Sequence, residues 1–232
     1  MSERFLRSEA LIGKESLSKL KSSAVAVFGI GGVGSYALEA LARSGVGTVY
    51  IYDCDTVSPS NINRQIIALE STLGKEKVSV AKERILDINP KISVFAFCTF
   101  LGKDSIIDFN KFDFIVDAVD NVTAKLFLIE NAKKLNIPII SVMGTGNKLD
   151  ITKLKISDIS KTNNCPLCKV MRKELKARNI GKVDVVWSDE LPCGLNLENA
   201  ENTNKKSPSS MIFVPAAAGL LAAQYTIENL TK

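Results

Sequence analysis

Residues 25–53 restrict the fold more than any other stretch of the chain. An apolar run, Val25 to Phe28, enters a glycine turn, Gly29-Ile30-Gly31-Gly32-Val33-Gly34, and a helical pattern follows to about Ser44. A second apolar run ends at Asp53, 19 residues after Gly34. Strand, glycine turn, helix and strand ending on an acid is the order in which a helix N-terminus meets a phosphate and a carboxylate meets a ribose. Gly29 and Gly31, with Gly32 beside them as a further candidate binding residue, let the backbone approach phosphate, and Gly34 lets the helix pack on its strand. A redox dinucleotide and ATP both satisfy this much.

The rest of the chain extends the same theme. Strands are expected at 24–28, 47–52, 92–97, 114–116 and 137–142. Helices are expected at 74–88, stopped by Asn89-Pro90, and at 122–135. Alternating strands and helices imply right-handed crossovers and a parallel sheet. A short helix is expected in residues 1–21, with Leu11, Ile12, Leu17 and Leu20 as its apolar positions. After Gly144-Thr145-Gly146-Asn147 the texture changes. Ile151 to Ile156 alternates like a half-exposed antiparallel strand, and Lys182 to Trp187 is a further strand. Residues 190–210 read as a polar, mobile loop, and Pro215 to Leu230 as an Ala-rich helix packed on the sheet. The fold class expected is therefore α/β: a Rossmann-like, doubly wound, mostly parallel sheet with antiparallel C-terminal strands. At 232 residues it is expected to form a single domain, 1–146 serving nucleotide and 147–232 substrate and partner.

Composition narrows the chemistry. The chain has no histidine, so imidazole bases, Ser-His-Asp triads and His-ligated metals are excluded. Thirty basic and 25 acidic residues leave +5, which tolerates a polyanionic partner without requiring one. Five cysteines, an odd number, suit a reduced, cytoplasmic setting. The first residues carry no signal-peptide core, and the apolar stretch Met211 to Ala223 is interrupted by Pro215 and shorter than the ~20 residues of a membrane span.

The segment 60–65, Ser-Asn-Ile-Asn-Arg-Gln, separates the two nucleotide readings. Asn61 offers an amide near phosphates and Arg64 a fork of donors. Lys77 adds a second cation, although a lysine in that position is by itself an ordinary solvated helix face. Two cations on a phosphate chain stabilise charge developing on a departing pyrophosphate, for which hydride transfer has no use. Asp53 could accept both ribose hydroxyls. Asp55 could reach a metal or simply form the turn. Asp117 and Asp120 follow the fourth strand, where its carboxyl end should face the ligand crevice. Asp120 is placed to hold Mg²⁺ on a triphosphate, with Asn121 assisting, or to cap the next helix.

Cys165-Pro166-Leu167-Cys168 is half of a zinc motif. No second pair exists, so two cysteines opening a helix is the better reading, with a low-pKa thiol open to them. That helix, 165–178, places Lys169, Arg172, Lys173 and Lys176 on one face, opposite Val170, Met171 and Leu175. Arg178 adds a fifth base near its end. The face is either solvated or a dock for an RNA backbone.

GIGGVG (29–34), DCD (53–55), SNINRQ (60–65), Gly74 to Lys77 as Gly-x-x-Lys, and DAVDN (117–121) together resemble the E1-like adenylating family, the ThiF/MoeB/HesA group. The resemblance implies Mg-ATP binding and activation of a carboxylate as its acyl-adenylate. It assigns ATP roles to Gly31, Asp53, Asn61, Arg64, Lys77 and Asp120. It implies that Arg7 enters the neighbouring subunit's site, hence a homodimer. Residues 143–162, 166–178 and 211–224 look most like the branch that activates the threonyl carboxylate of a modified adenosine beside the tRNA anticodon. In that branch the carbamoyl group closes a ring and expels AMP, with no enzyme thiol. A sulfur-transfer system such as a cysteine desulfurase is a further partner that the resemblance raises. Three alternatives stand beside this: adenylation of the terminal glycine of a ubiquitin-like sulfur carrier, an NAD-dependent oxidoreductase, and a nucleotide-sensing scaffold.

Overall fold

The computed structural model describes residues 3–193 and 208–232. Its centre is one seven-stranded sheet in the order β3-β2-β1-β4-β5-β7-β6. The strands are β1 (Ala24–Phe28), β2 (Thr48–Asp53), β3 (Ser93–Cys98), β4 (Phe114–Asp117), β5 (Ile139–Val142), β6 (Leu154–Asp158) and β7 (Asp184–Ser188). Six of them run parallel through the pairs β3-β2, β2-β1, β1-β4, β4-β5 and β5-β7, and β6 alone is antiparallel, to β7. The sheet reverses its winding between β1 and β4, so the crevice at their carboxyl ends is the place where such a sheet takes a ligand.

Among the described residues seven α-helices accompany the sheet: α1 (Leu6–Ile12), α2 (Lys14–Ser22), α3 (Gly34–Ser44), α4 (Lys77–Ile88), α5 (Val122–Lys134), α6 (Pro166–Ala177) and α7 (Phe213–Leu230). Strand alternation distributes the core. Val25 and Val27 of β1 join a cluster with residues of α3, α4 and α7, while Ala26 and Phe28 join another with α5 and α6. Both faces of β1 are thus buried, as its unbroken apolar run requires.

Several boundaries shift for physical reasons. The N-terminal segment is two helices, broken at Gly13 with φ +85°. Of its apolar positions Leu17 and Leu20 are buried, whereas Leu11 is 85% exposed. α4 begins at Lys77, because Gly74 takes φ +77° in the preceding turn. Pro138 delays β5 to Ile139. The antiparallel strand starts at Leu154, since Ile151–Lys153 is a single 3₁₀ turn held by Asp150. Most of the polar loop at 190–210 lies outside the described residues. Its far end is anchored: Ser209 and Asn147 exchange bonds of 2.7 Å, and Asn63 Nδ2 donates to the Ser210 carbonyl at 2.9 Å. No helix among the described residues is long and apolar enough to cross a membrane.

Candidate active site

A cavity of about 610 Å³ opens at the carboxyl ends of β1 and β4, within the range of small-molecule sites. The glycine turn forms its floor. Gly29 sits at φ +86°, where a Cβ would lie 2.8 Å from the Ala118 carbonyl oxygen; at Gly34 a Cβ would lie 1.8 Å from the Gly29 oxygen. Only glycine permits either contact. The first α3 bond runs from the Ser35 amide to the Gly31 carbonyl at 3.1 Å. Among the described residues the amides of Gly31, Gly32 and Val33 meet no acceptor, so three N–H groups stand at a helix start beside the cavity.

Asp53 ties this loop to β2. Its Oδ2 accepts from the Ile30 amide at 2.6 Å and its Oδ1 from the Asp55 amide at 2.8 Å. A carboxylate has about four lone-pair sites, so two bonds leave acceptor capacity at the cavity wall. Asp55 points toward Lys77, whose Nζ donates to Oδ2 at 2.7 Å. Lys77 is buried rather than on a solvated face, and both residues line the cavity. Its burial follows from the register of α4, whose first amide bonds the Asp55 carbonyl at 3.0 Å.

The 60–65 segment crosses the cavity mouth. Asn61 Oδ1 accepts from the Ser58 amide at 3.1 Å, closing its own turn and leaving the amide nitrogen for a ligand. Arg64 Nη1 donates to the Ser60 carbonyl at 2.7 Å and to Asn63 Oδ1 at 2.9 Å. This pins one arm of the guanidinium over the cavity, which Arg64 lines. Gln65 is also buried here, and its Oε1 has no partner. Its position inside the motif was the one signal available for it.

The acids after β4 divide differently from expectation. Asp117 does not face the cavity. It is fully buried with Lys125, whose Nζ reaches both carboxylate oxygens at 3.1 Å and the Val142 carbonyl at 2.7 Å. Ser141 donates to the same carboxylate. The pair is a structural staple between β4, β5 and α5, and nothing in the spacing distinguished it from a site acid. Asp120 is exposed and lines the cavity. The helix cap is not Asp120 but Asn121, whose Oδ1 accepts from the Thr123 amide at 2.8 Å and the Ala124 amide at 3.2 Å. Asn121 is therefore committed to α5 although it borders the cavity.

Arg7 is exposed on α1 and does not line this cavity. Arg172 bonds Thr162, and Arg178 pairs with Glu130 at 2.7 Å and Glu174 at 2.6 Å, so Lys169, Lys173 and Lys176 make up the exposed basic face of α6. Val170 is 45% exposed; Cys168 joins Met171 and Leu175 on the buried side. Cys54 lines the cavity, where burial and the carboxylates of Asp55 and Asp53 push its thiol up, away from the nucleophilic thiolate.

Residues 5–232 match the ThiF family. The chain is 43% identical to the tRNA threonylcarbamoyladenosine dehydratase of Bacillus subtilis (strain 168), over 100% of this chain and 96% of that protein. It superposes on the crystal structure of the E. coli tRNA N6-threonylcarbamoyladenosine dehydratase in complex with AMP with a TM-score of 0.90. That match has 32% identity and covers 98% of this chain and 94% of the other. For the same E. coli protein in complex with ATP the TM-score is 0.88, again at 32% identity, covering 98% and 93%. The chain belongs to the ThiF family.

Proposed function

We propose that this ThiF-family protein is an ATP-dependent tRNA threonylcarbamoyladenosine dehydratase, adenylating the threonyl carboxylate of N6-threonylcarbamoyladenosine in tRNA. The carboxylate oxygen attacks the α-phosphorus of ATP, and pyrophosphate leaves. The substrate's own carbamoyl group then attacks the activated carbonyl, closes the ring and expels AMP. The net change in the nucleoside is loss of water, and the ring closure calls for no enzyme nucleophile, in keeping with the raised Cys54 thiol.

One observation carries the reading. Unpaired amides at the α3 start, the guanidinium of Arg64 and the ammonium of Lys77 border a single cavity. A triphosphate is the ligand whose charge suits that set. In this reading Gly29, Gly31, Gly32 and Gly34 shape the phosphate turn and Asp53 accepts from the ribose. Asn61 and Arg64 contact phosphate, and Lys77 exchanges Asp55 for a phosphate oxygen as charge builds on the leaving group. Asp120, exposed at the cavity and without a cation among the described residues, would hold Mg²⁺ on the nucleotide. The metal supplies charge neutralisation on the phosphates.

Further parts belong to the same proposal. The chain works as a single adenylation domain, residues 1–146 binding nucleotide and 147–232 serving substrate and partner. It acts as a cytoplasmic homodimer in which Arg7 completes the neighbour's site. Lys169, Lys173 and Lys176 meet the tRNA backbone, and a sulfur-transfer system with a cysteine desulfurase is a candidate partner.

The test is pyrophosphate release with tRNA carrying the modification, with and without ribonuclease pretreatment. Release is expected only with intact tRNA. Arg64→Ala and Asp120→Ala should each lower it by about 100-fold or more while melting normally. Release driven instead by a ubiquitin-like carrier, with tRNA inert, would transfer the assignment to that substrate.

A further inference from the structure

Parallel sheets are ordinarily covered by helices on both faces, and one part of this sheet is not. The crossover from β3 to β4, residues 99–113, contains a single 3₁₀ turn, Phe109–Lys111, and no α-helix. The face it leaves bare is aromatic. Phe95 and Phe97 of β3 pair in register with Tyr50 and Tyr52 of β2. Phe95 stacks on Tyr50 and Phe97 on Tyr52, each with ring centroids 4.7 Å apart, at interplanar angles of 13° and 11°. Even so, Phe95 and Phe97 remain 46% and 40% exposed, and Phe100 and Ile106 near them are more exposed still. β3 is the edge strand, and neither phenylalanine stacks on a second ring among the described residues. Each tyrosine therefore steadies one face of a flat ring whose other side is open at the sheet edge.

This ladder of rings leads to the active-site cavity. A cleft of about 520 Å³ runs along it, with Tyr50, Tyr52 and Phe97 on the sheet side and Ile106, Asp108 and Lys111 on the crossover. Tyr52 and Thr99 are walls of both this cleft and the cavity, and Phe100 lines the cavity. The charges nearby suit a chain of phosphates. Lys91, just before β3, and Lys103, just past Phe100, are exposed and have no acid partner among the described residues. Lys111 answers Asp108 at 3.6 Å. Two residues of a parallel strand span about 6.6 Å, so each open ring has room for one nucleobase. A steadied flat ring between cations is what an unpaired base stacks on, whereas an apolar protein segment gains more from a socket that surrounds its side chains.

We propose that Phe95 and Phe97 are a stacking platform for unpaired bases of the tRNA loop, those beside the nucleotide whose carboxylate enters the cavity, with Lys91 and Lys103 along their phosphates. This rests on the tRNA reading above and names the surface that presents the loop. Single-stranded loops are recognised by splaying bases onto aromatic rings. Such stacking tolerates sequence, because every base has a π-face. The platform therefore fixes the position of the loop rather than its identity. It brings the threonyl carboxylate to the α-phosphorus and touches none of the reacting atoms. Its loss shows in the tRNA concentration required, not in turnover at saturation.

The test has two arms, both on the full-length protein. In the first, protein and tRNA carrying the modification are irradiated with short-wave ultraviolet light, and the protein is cleaved after lysine and arginine. Phe95, Phe97 and Phe100 fall in one peptide, Ile92–Lys103, and that peptide should carry nucleotide. In the second, the Phe95→Leu/Phe97→Leu double variant keeps apolar bulk and loses both flat rings. Its KM for tRNA should rise at least about tenfold, since stacking supports roughly 5- to 150-fold in affinity per base. Its kcat and its affinity for ATP should stay unchanged, and Phe95→Tyr/Phe97→Tyr should restore the KM. An Ile92–Lys103 peptide free of nucleotide, or an unchanged KM in the leucine variant, overturns the proposal. So does a leucine variant that falls from dimer to monomer in light scattering, because the face would then join two copies of the chain. Unaltered protein that neither binds tRNA nor releases pyrophosphate with it refutes the tRNA reading itself, whereas one that turns over tRNA without contact at this peptide refutes the platform alone.

Discussion

Asp117 and Lys125 sit at 0% exposure, and each answers the other's charge. Two buried charges are tolerable only together, because desolvation is offset by their attraction and by the bonds from Ser141 and to the Val142 carbonyl. Lys125→Met strands a carboxylate in the core. It should lower unfolding free energy by about 3–5 kcal/mol in a denaturant titration. Adding Asp117→Leu to the same chain should restore a large part of that loss. Had Asp117 been a cavity acid, the single variant would fold normally and fail in turnover. Asp53 illustrates the converse at the same scale: both of its oxygens bind backbone amides, yet it keeps acceptor capacity at the cavity.

Among the elements, α3 decides how the phosphate turn is held. Gly219 of α7 meets it so closely that a Cβ there would lie 2.3 Å from the Val33 carbonyl oxygen. Gly219→Ala must push α7 away from the turn. It should cost roughly 1–3 kcal/mol of stability and weaken ATP binding together, measured by melting and by ATP titration; a loss in only one would separate the helix from the turn. α3 is also tied to α4 through Glu39, which receives Arg43 and Arg84, each at 2.7 Å. Burial raises the Glu39 carboxyl, but the hydrogen bonds of Arg84 and Arg43 outweigh it and hold the group below its ordinary 4.5. A carboxyl depressed by folding contributes stability above its unfolded pKa and loses it as pH falls through the folded value. Glu39→Gln should therefore melt lower at neutral pH, and its melting temperature should fall less than that of the unmodified protein between roughly pH 5 and pH 3.

For the whole molecule, the exposed position of Arg7 away from its own chain's cavity gives the homodimer proposal a sharp test. If Arg7 serves the neighbour, Arg7→Ala and Arg64→Ala chains are each inactive alone. In a mixed dimer one site regains both arginines. Equal mixing with free exchange should return about a quarter of full turnover, since half the dimers are mixed and half their sites complete. No recovery after exchange, confirmed by tagged co-purification, would place Arg7 outside any shared site.

Legibility from sequence followed the range of the interactions. The glycine turn, the strand before it and Asp53 were readable because their constraints are local: a positive φ at Gly29 and a helix start at fixed spacing leave signatures in consecutive residues. Most strands of the sheet were readable too, because burial on two faces demands unbroken apolar runs. What Asp117 and Asp120 do was not readable. They stand three residues apart in one motif, and only the position of Lys125 on the helix packed above decides which one is buried. The same holds for Lys77, whose burial depends on α4 docking against Asp55, and for the cap, which fell to Asn121 because of the backbone angle at the start of α5. From sequence alone the chain was committed to a Rossmann-like sheet with a glycine turn at its first helix, since local sterics and periodicity are written in neighbouring residues. Which charges face the cavity and which hold the core together was decided only by the tertiary structure, because solvation of a charge depends on groups brought beside it from distant parts of the chain.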